Sequence, residues 1–272
     1  MTLTEVRQVL SDLEIRPSKA LGQNFLIDGN ILQIILREAD VRRDETVLEI
    51  GPGLGMLTEK LLDQGKRVIA IERDARLCSY LRGKFPDLKL IEGDAVKILD
   101  SGFSVQSSGF KVVSNLPYSI STPILERLVE GDLKPRRMVV TLQREVAQRL
   151  AAQPRTKDYG ALTLFTQLNY HCTVAHIISS GCFYPSPHVE SAIVVLDRRD
   201  PRVKLESGAP FHEIVRAGFG QRRKMLKKLL TTFGDVDAAF AINSISSAVR
   251  AEELNLEQWI ALANSLAPTA GQ

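Results

Sequence analysis

Cysteines are few in this sequence of 272 residues, and long apolar runs are missing. The three cysteines, Cys78, Cys172 and Cys182, lie far apart, and no histidines or cysteines have the spacing of metal ligands. We therefore expect neither a disulfide framework nor a metal site, and dispersed cysteines in an odd number indicate reduced thiols and a cytoplasmic protein. No stretch reaches the roughly 18 apolar residues of a membrane-spanning helix, and residues 1–7 lack the apolar core of a signal peptide.

The composition is otherwise that of an ordinary folded protein, with an uneven distribution of charge. Hydrophobic residues make up 44% and charged residues 25% of the sequence, which suits one large domain or a large domain with a small one. The net charge is only +3, but residues 216–228 contain several cations and no acid. Such a cluster indicates a polyanionic partner, although a solvated helix face explains it equally well.

Short apolar runs alternate with amphipathic stretches through much of the chain. We predict strands at residues 46–50, 67–71, 88–91, 110–114 and 137–142, and helices at residues 30–39, 56–64, 75–85 and 123–130. This alternation is typical of a mostly parallel sheet with helices on both faces, so we predict an α/β fold with a Rossmann-like sheet. A helix at 162–170 and strands at 172–178 and 191–196 are expected near the sheet edge.

The pattern changes near residues 200–210, a segment rich in proline, glycine and charge that resembles a linker. Beyond it, apolar residues recur only at helical spacing. We therefore predict a catalytic domain with an N-terminal arm over residues 1–204 and a small all-helical domain over residues 205–272.

A glycine turn follows the first predicted strand. Gly51, Gly53 and Gly55 have the spacing Gly-x-Gly-x-Gly, whereas a dinucleotide site favours Gly-x-Gly-x-x-Gly. Glycine here lets the backbone approach a ligand. Glu72 and Asp94 end the next two predicted strands, where one carboxylate can accept ribose hydroxyls and the other an adenine amine. Each acid alone could be a helix cap, but together they favour a nucleoside site.

A tetrapeptide directly after the fourth predicted strand is the second candidate site. Its residues are Asn115, Leu116, Pro117 and Tyr118. An amide, a backbone carbonyl beside a rigid proline and an aromatic ring are suited to hold a flat base that carries an amino group. The tetrapeptide can also be a simple strand-to-helix turn. Phe183 precedes a Pro-x-Pro segment and is either a base contact or an aromatic that packs this loop onto the core.

The cations of the C-terminal region are predicted on one helix whose opposite side is apolar. We take as candidate residues for binding a polyanion such as a nucleic acid Arg222, Arg223, Lys224, Lys227 and Lys228. Cations one helical turn apart can contact phosphates across a groove.

Four motifs occur in a fixed order along the chain: residues 21–26 (LGQNFL), 115–118 (NLPY), 183–191 (FYPSPHVES) and 222–224 (RRK). With the glycine turn, they resemble the ribosomal RNA adenine dimethyltransferase family of the KsgA/RsmA type. That family also includes erythromycin-resistance methyltransferases and relatives of mitochondrial transcription factor B. The resemblance extends from about Arg16 to about Trp259, and the set of four is very specific whereas the glycine motif alone is not.

The resemblance implies S-adenosylmethionine as cofactor. The residues expected to contact it are Gln23, Asn24, Leu26, Gly51, Gly53, Gly55, Glu72, Asp94, Ala95 and Asn115. Among these, Glu72 is expected at the ribose, Asp94 at the adenine and Asn115 near the sulfonium. Without the resemblance, Gln23 and Asn24 could as easily form a turn that caps the following helix.

The resemblance also implies the substrate: two adjacent adenosines in a hairpin loop near the 3′ end of 16S rRNA, each dimethylated at N6 within the 30S subunit during ribosome biogenesis. We expect a monomer with no membrane or metal partner. The lone pair of N6 is delocalised into the ring, so acceptors at the Asn115 side chain and the Leu116 carbonyl would favour a pyramidal, more nucleophilic nitrogen. Tyr118 and Phe183 would hold the base, and positioning would supply most of the acceleration.

Three other interpretations remain open from the sequence. An erythromycin-resistance type enzyme would act on 23S rRNA, and Leu116 in place of isoleucine disfavours it. A non-catalytic assembly or transcription factor could keep the same fold, although Glu72, Asp94 and Asn115 are intact. A nicotinamide-dependent oxidoreductase is disfavoured by the glycine spacing.

Overall fold

A computed structural model describes residues 1–17, 22–64, 67–105, 109–199 and 203–266. The chain divides into two compact units. The first comprises Met1–Ala147 and His171–Arg198, and the second comprises Gln148–Tyr170 and Arg199–Gln272. This division differs from the predicted boundary near residue 204, because residues 148–170 belong with the C-terminal helices. No helix in the part of the chain that the structure describes is long and apolar enough to cross a membrane.

The described strands are β1 (Phe25–Leu26), β2 (Thr46–Ile50), β3 (Arg67–Glu72), β4 (Lys89–Glu92), β5 (Lys111–Asn115), β6 (Arg137–Gln143), β7 (Tyr170–Ile178), β8 (Phe183–Tyr184) and β9 (Ser191–Arg198). The described α-helices are α1 (Leu3–Asp12), α2 (Gly29–Ala39), α3 (Met56–Asp63), α4 (Ala75–Lys84), α5 (Ala95–Asp100), α6 (Ser121–Glu130), α7 (Arg144–Leu150), α8 (Ala161–Asn169), α9 (Phe211–Gly220), α10 (Leu226–Leu229), α11 (Val236–Ile242) and α12 (Leu256–Ser265).

The main sheet has the strand order β4-β3-β2-β5-β6-β9-β7. Its strands from β4 to β6 are parallel, and β9 is antiparallel to β6. Every residue of β2 is buried, as expected for a strand covered on both faces. The chain order reverses between β2 and β5, because β3 and β4 lie on one side and β6 on the other. A ligand crevice is expected at the carboxyl ends of strands at such a point. The predicted α/β fold is confirmed.

Helices α5 and α7 are absent from the predictions. Both are short, and α5 has only one buried residue, Ala95. The pairing of β1 with β8 was also not predicted, because strands of two residues show no periodicity. This small ribbon joins Leu26 to Phe183, so it links the arm to the segment that contains the Pro-x-Pro loop.

The second unit has its own hydrophobic core, centred on α8, α9 and α12. Trp259 is fully buried there and stacks on Phe219, with ring centroids 5.9 Å apart. The Tyr159 hydroxyl donates to the Leu254 carbonyl at 2.9 Å. Large aromatic side chains thus fill this core, which leaves little room for additional atoms.

Gly218 in α9 lies against this aromatic core. A Cβ at position 218 would lie 2.7 Å from Trp259 Cη2 and 2.8 Å from Leu226 Cδ1. We expect Gly218→Ala to lower the free energy of unfolding by about 1–3 kcal/mol, because the clash outweighs the better helix propensity of alanine. Denaturation monitored by the fluorescence of Trp259, the single tryptophan, measures this change. The control is Gly220→Ala in the same helix, where a Cβ meets nothing within 4 Å; equal losses from both variants would contradict the clash.

Candidate active site

A cavity of about 260 Å³ lies at the carboxyl ends of β2, β3 and β5, where the sequence places both candidate sites. The predicted site residues that line it are Gln23, Asn24, Leu26, Gly51, Gly53, Glu72, Ala95, Asn115, Leu116, Pro117 and Tyr118. Gly55, Asp94 and Phe183 do not line it. The fold thus brings most of the predicted cofactor residues and the tetrapeptide together around one space.

The three glycines of the turn have positive φ angles of 71°, 59° and 76°, which favour glycine over other residues. Their missing side chains make room for protein groups. A Cβ on Gly51 would lie 3.0 Å from Pro117 Cγ, and one on Gly53 would lie 3.1 Å from the Phe25 ring. A Cβ on Gly55 would lie 2.5 Å from Phe85 Cε2. The glycines therefore bring the turn close to the tetrapeptide and the arm, and Gly55 packs away from the cavity.

Glu72 ends β3, and its carboxylate is held by backbone N–H groups. Oε1 accepts from Arg73 N at 2.7 Å and Asp74 N at 2.9 Å, and Oε2 accepts from Gly53 N at 3.3 Å. Burial raises the pKa of this carboxyl, and the three backbone bonds act against that rise. Glu72 is 7% exposed and lines the cavity. The lone pairs that the backbone does not use are therefore available to a ligand in the cavity.

Asp94 is placed differently from Glu72. Its Oδ1 accepts from Val96 N at 3.0 Å and from Lys97 N at 3.4 Å, and its Oδ2 lies 3.2 Å from Arg73 Nη1. The carboxylate thus caps α5, the alternative that the sequence left open. Its neighbour Ala95 does line the cavity. A contact of Asp94 with adenine stays a prediction.

Glu49 also lines the cavity, although the predicted site did not include it. Thr58 Oγ1 donates to Glu49 Oε2 at 2.6 Å. Burial raises the pKa of Glu49 to about 8, and the nearby charge of Glu72 adds to the rise. Glu72 is the stronger candidate for a charged acceptor, because three backbone N–H groups donate to its carboxylate, whereas the described partner of Glu49 is the Thr58 hydroxyl. The sequence signal that could have identified Glu49 is its position, because it is an acid two residues before Gly51 in the glycine turn.

The arm residues close on the tetrapeptide. Gly22 has a φ of +63°, and a Cβ there would lie 2.9 Å from Ser119 N. Asn24 Nδ2 donates to the Gly22 carbonyl at 3.2 Å, and Asn115 Nδ2 donates to the Asn24 carbonyl at 3.0 Å. Asn24 thus forms a turn, which was the alternative interpretation of Gln23 and Asn24 from the sequence. The same residues also form one wall of the cavity.

Asn115 carries the most informative atom of the site. Its Oδ1 is buried and has no hydrogen-bond partner among the described residues. The amide nitrogen is already used by the Asn24 carbonyl, so the side chain is oriented with its oxygen unpaired. A buried carbonyl oxygen without a donor is unfavourable. The site is therefore suited to a ligand that brings an N–H or O–H group to this oxygen.

Tyr118 and Phe183 lie next to each other. Their rings are edge-on, with centroids 6.5 Å apart and planes at 70°. The Tyr118 hydroxyl forms a hydrogen bond with Ser191 Oγ, and burial raises the pKa of this phenol. Phe183 is 2% exposed and belongs to the hydrophobic core. Tyr118 lines the cavity, whereas Phe183 packs the loop onto the core; its contact with a base stays a prediction.

The candidate RNA-binding cations lie in the second unit, and the prediction of one basic helix there is wrong. Helix α9 ends at Gly220, and α10 begins only at Leu226. At the first residue of α10, Leu226 N donates to the Val249 carbonyl at 2.8 Å. The backbone is thus bonded to a distant segment, which a continuous helix excludes. Arg222, Arg223 and Lys224 lie in the turn.

These cations also differ in what they contact. The Arg222 guanidinium donates to the Lys157 and Tyr159 carbonyls at 2.8 and 3.0 Å and to Glu252 at 3.2 Å. Lys227 pairs with Asp237. The side chains of three further cations of the set are exposed and form no hydrogen bond or ion pair with any described residue: Arg223, Lys224 and Lys228. Arg222 and Lys227 are therefore structural in part, and the other three are open to a ligand.

Comparison with known proteins decides the family. The family model for ribosomal RNA adenine dimethylase matches residues 16–268. The chain belongs to this family. Ribosomal RNA small subunit methyltransferase A of Opitutus terrae is 40% identical over 279 residues, which cover 96% of this chain and 98% of that protein. The protein of the same name from Clostridium acetobutylicum is 36% identical over 268 residues, which cover 96% and 97%.

Solved structures agree with this membership. A dimethyladenosine transferase from Plasmodium falciparum has a TM-score of 0.71 and 25% identity, covering 88% of this dimethylase and 95% of that chain. The 23S rRNA methyltransferase ErmE has a TM-score of 0.69 and 28% identity, covering 89% and 99%. The resemblance and the predicted methyltransferase activity are thus confirmed, and the oxidoreductase alternative is wrong.

Proposed function

We propose that this dimethylase uses S-adenosylmethionine to form N6,N6-dimethyladenosine at two adjacent adenosines in a hairpin loop near the 3′ end of 16S rRNA. The 30S subunit in the cytoplasm would be its substrate. Relatives of up to 40% identity over nearly the whole chain are named for the small ribosomal subunit. The protein named for 23S rRNA is 28% identical. The small subunit is therefore the better-supported substrate.

The cavity has groups that suit the cofactor. Glu72 offers a fixed, buried carboxylate for ribose hydroxyls, and Ala95 lines the part of the cavity beside β4, on the side proposed for the adenine. Gln23, Asn24 and Leu26 line it from the arm. S-adenosylmethionine supplies a methyl group on a sulfonium, which is already a good leaving group. The protein therefore has to hold and align its two ligands, with little acid–base chemistry.

The unpaired Asn115 Oδ1 is the observation that carries the acceptor assignment. Adenine N6 carries the N–H group that this oxygen lacks. With the Leu116 carbonyl as a second acceptor, the amino group is drawn toward a pyramidal shape in which its lone pair is free for the methyl group. Tyr118 stacks on the base, and its hydroxyl bond to Ser191 fixes the ring. The proton leaves to water after transfer.

The second unit would bind the RNA through Arg223, Lys224 and Lys228. Their charges have no described acidic partner, so phosphates can replace only water and counterions. These three cations would bind the RNA backbone mostly through electrostatic attraction, whereas the cavity would select the base.

The proposal predicts methylation of 30S subunits from cells that lack the corresponding methyltransferase. With labelled S-adenosylmethionine, label should enter 16S rRNA, and mapping should find N6,N6-dimethyladenosine at two adjacent positions. Subunits from methylated cells are the control and should accept no label. Label confined to 23S rRNA would overturn the substrate, and label at a base other than adenine would overturn the acceptor assignment.

A further inference from the structure

Two buried side-chain atoms of the first unit have no hydrogen-bond partner among its described residues, Asn115 Oδ1 and Thr141 Oγ1. Both lie near the carboxyl end of the sheet, on the neighbouring strands β5 and β6. Asn115 and Thr141 face each other in the register of these strands. Neighbours in register project from the same face of a sheet. The Asn115 and Thr141 side chains are therefore adjacent on one face, and no hydrogen bond joins them in this structure.

The surroundings of Thr141 leave it few other partners. Its neighbour on the opposite side is Ile193 in β9, which is apolar. Ser191, two residues along β9 and on the same face, already bonds the Tyr118 hydroxyl. Thr141 is 1% exposed and does not line the cavity. Its hydroxyl thus reaches neither bulk water nor a ligand in the cavity, and Asn115 is the neighbouring group with a free acceptor.

A hydroxyl at this position has no evident role in folding. The preceding strand residues Val139 and Val140 are buried and apolar. Valine has nearly the shape of threonine, and it would occupy position 141 without burying an unpaired polar atom. Local departures from such folding rules concentrate at functional sites.

We propose that Thr141 is a positioning residue for the methyl-acceptor site. A carbonyl oxygen has two lone pairs. When the target amino group donates to one lone pair of Asn115 Oδ1, the Thr141 hydroxyl donates to the other. The Asn115 amide is then held at both ends, by Thr141 at its oxygen and by the Asn24 carbonyl at its nitrogen. The inference rests on the proposed role of Asn115.

Thr141→Val removes the hydroxyl and keeps the shape, and Thr141→Ser keeps the hydroxyl. We expect Thr141→Val to lower kcat for 30S methylation by about tenfold, the effect of one lost hydrogen bond in the transition state, while Thr141→Ser stays within about twofold. The Kd of the cofactor and the Kd of the RNA should not change. The melting temperature of Thr141→Val should equal or exceed that of the parent protein, because an unpaired hydroxyl has gone.

A double-mutant cycle with Asn115→Ala tests whether Thr141 acts through Asn115. In the Asn115→Ala background, Thr141→Val should leave the residual rate unchanged. The inference is overturned if Thr141→Val keeps full kcat, if it melts below the parent, if Thr141→Ser loses as much as Thr141→Val, or if the two losses multiply in the double variant. Full activity of Asn115→Ala would instead remove the proposed acceptor site itself. The two failures are therefore distinguishable.

Discussion

We expect Asn115→Ala to lose about 100-fold or more in kcat, because it removes the proposed acceptor for the target amino group. The loss should fall on turnover, since the proposed RNA contacts are cations of the second unit. Single-turnover rates with labelled S-adenosylmethionine and saturating 30S subunits measure it, together with the Kd of each ligand. Alanine also removes the hydrogen bond to the Asn24 carbonyl, so a modest rise in the cofactor Kd accompanies the loss.

Asn30→Ala is the matched control. Asn30 is exposed at the start of α2, where its side chain has no contact with the cavity, and the variant should keep the parental rate. If Asn115→Ala also turned over at the parental rate, Asn115 would have no part in the reaction. If it lost RNA affinity in place of kcat, its role would be in binding the substrate and not in orienting the amino group.

Neutralising Arg223, Lys224 and Lys228 together weakens RNA binding strongly and flattens its salt dependence. Each phosphate contact that is lost lowers the slope of log K against log salt by about one, so the triple variant loses about three. The measurement is the Kd for 30S subunits at several salt concentrations. Activity on saturating substrate should change much less, because none of the three residues lines the cavity.

Lys204 provides the matched control for this surface. It is exposed in the second unit but lies outside the turn and α10. Single charge reversals at Arg223, Lys224 and Lys228 should each reduce affinity more than Lys204→Glu, although the change in net charge is the same. Equal effects at all four positions would show that only net charge matters and that this turn is a solvated surface.

The main sheet could be predicted because its signal is local. Residues 46–50 are mostly apolar and are followed by glycine, and the strand has those bounds. Glu72 and Asn115 follow such runs, so their meeting at one sheet edge could also be predicted. The basic helix could not be predicted correctly, because the bond from Leu226 to Val249 that prevents it joins distant segments. The same reason applies to the domain boundary: α8 belongs to the second unit through contacts with helices far along the chain.

Most of the predicted site residues line one cavity, but the contacts that each of them makes could not be predicted. Sequence spacing cannot show that Asp94 uses its carboxylate to cap α5, or that Gly55 packs on Phe85. It also cannot show that Asn115 Oδ1 is left unpaired while the nitrogen of the same amide is bonded. These properties depend on side-chain orientation, which is decided by packing and not by order along the chain.

The ribbon of β1 and β8 limits how far this enzyme could be shortened. The described residues that line the cavity lie between Gly22 and Ile120, so a fragment that stops at Ala147 would contain all of these residues. It would still lack Phe183, which pairs with Leu26, and Ser191, which bonds Tyr118. Such a fragment contains the residues that line the cavity but lacks the contacts that hold the arm and Tyr118 in place. A minimal active fragment must therefore include β8 and β9 as well as the strands that precede Ala147.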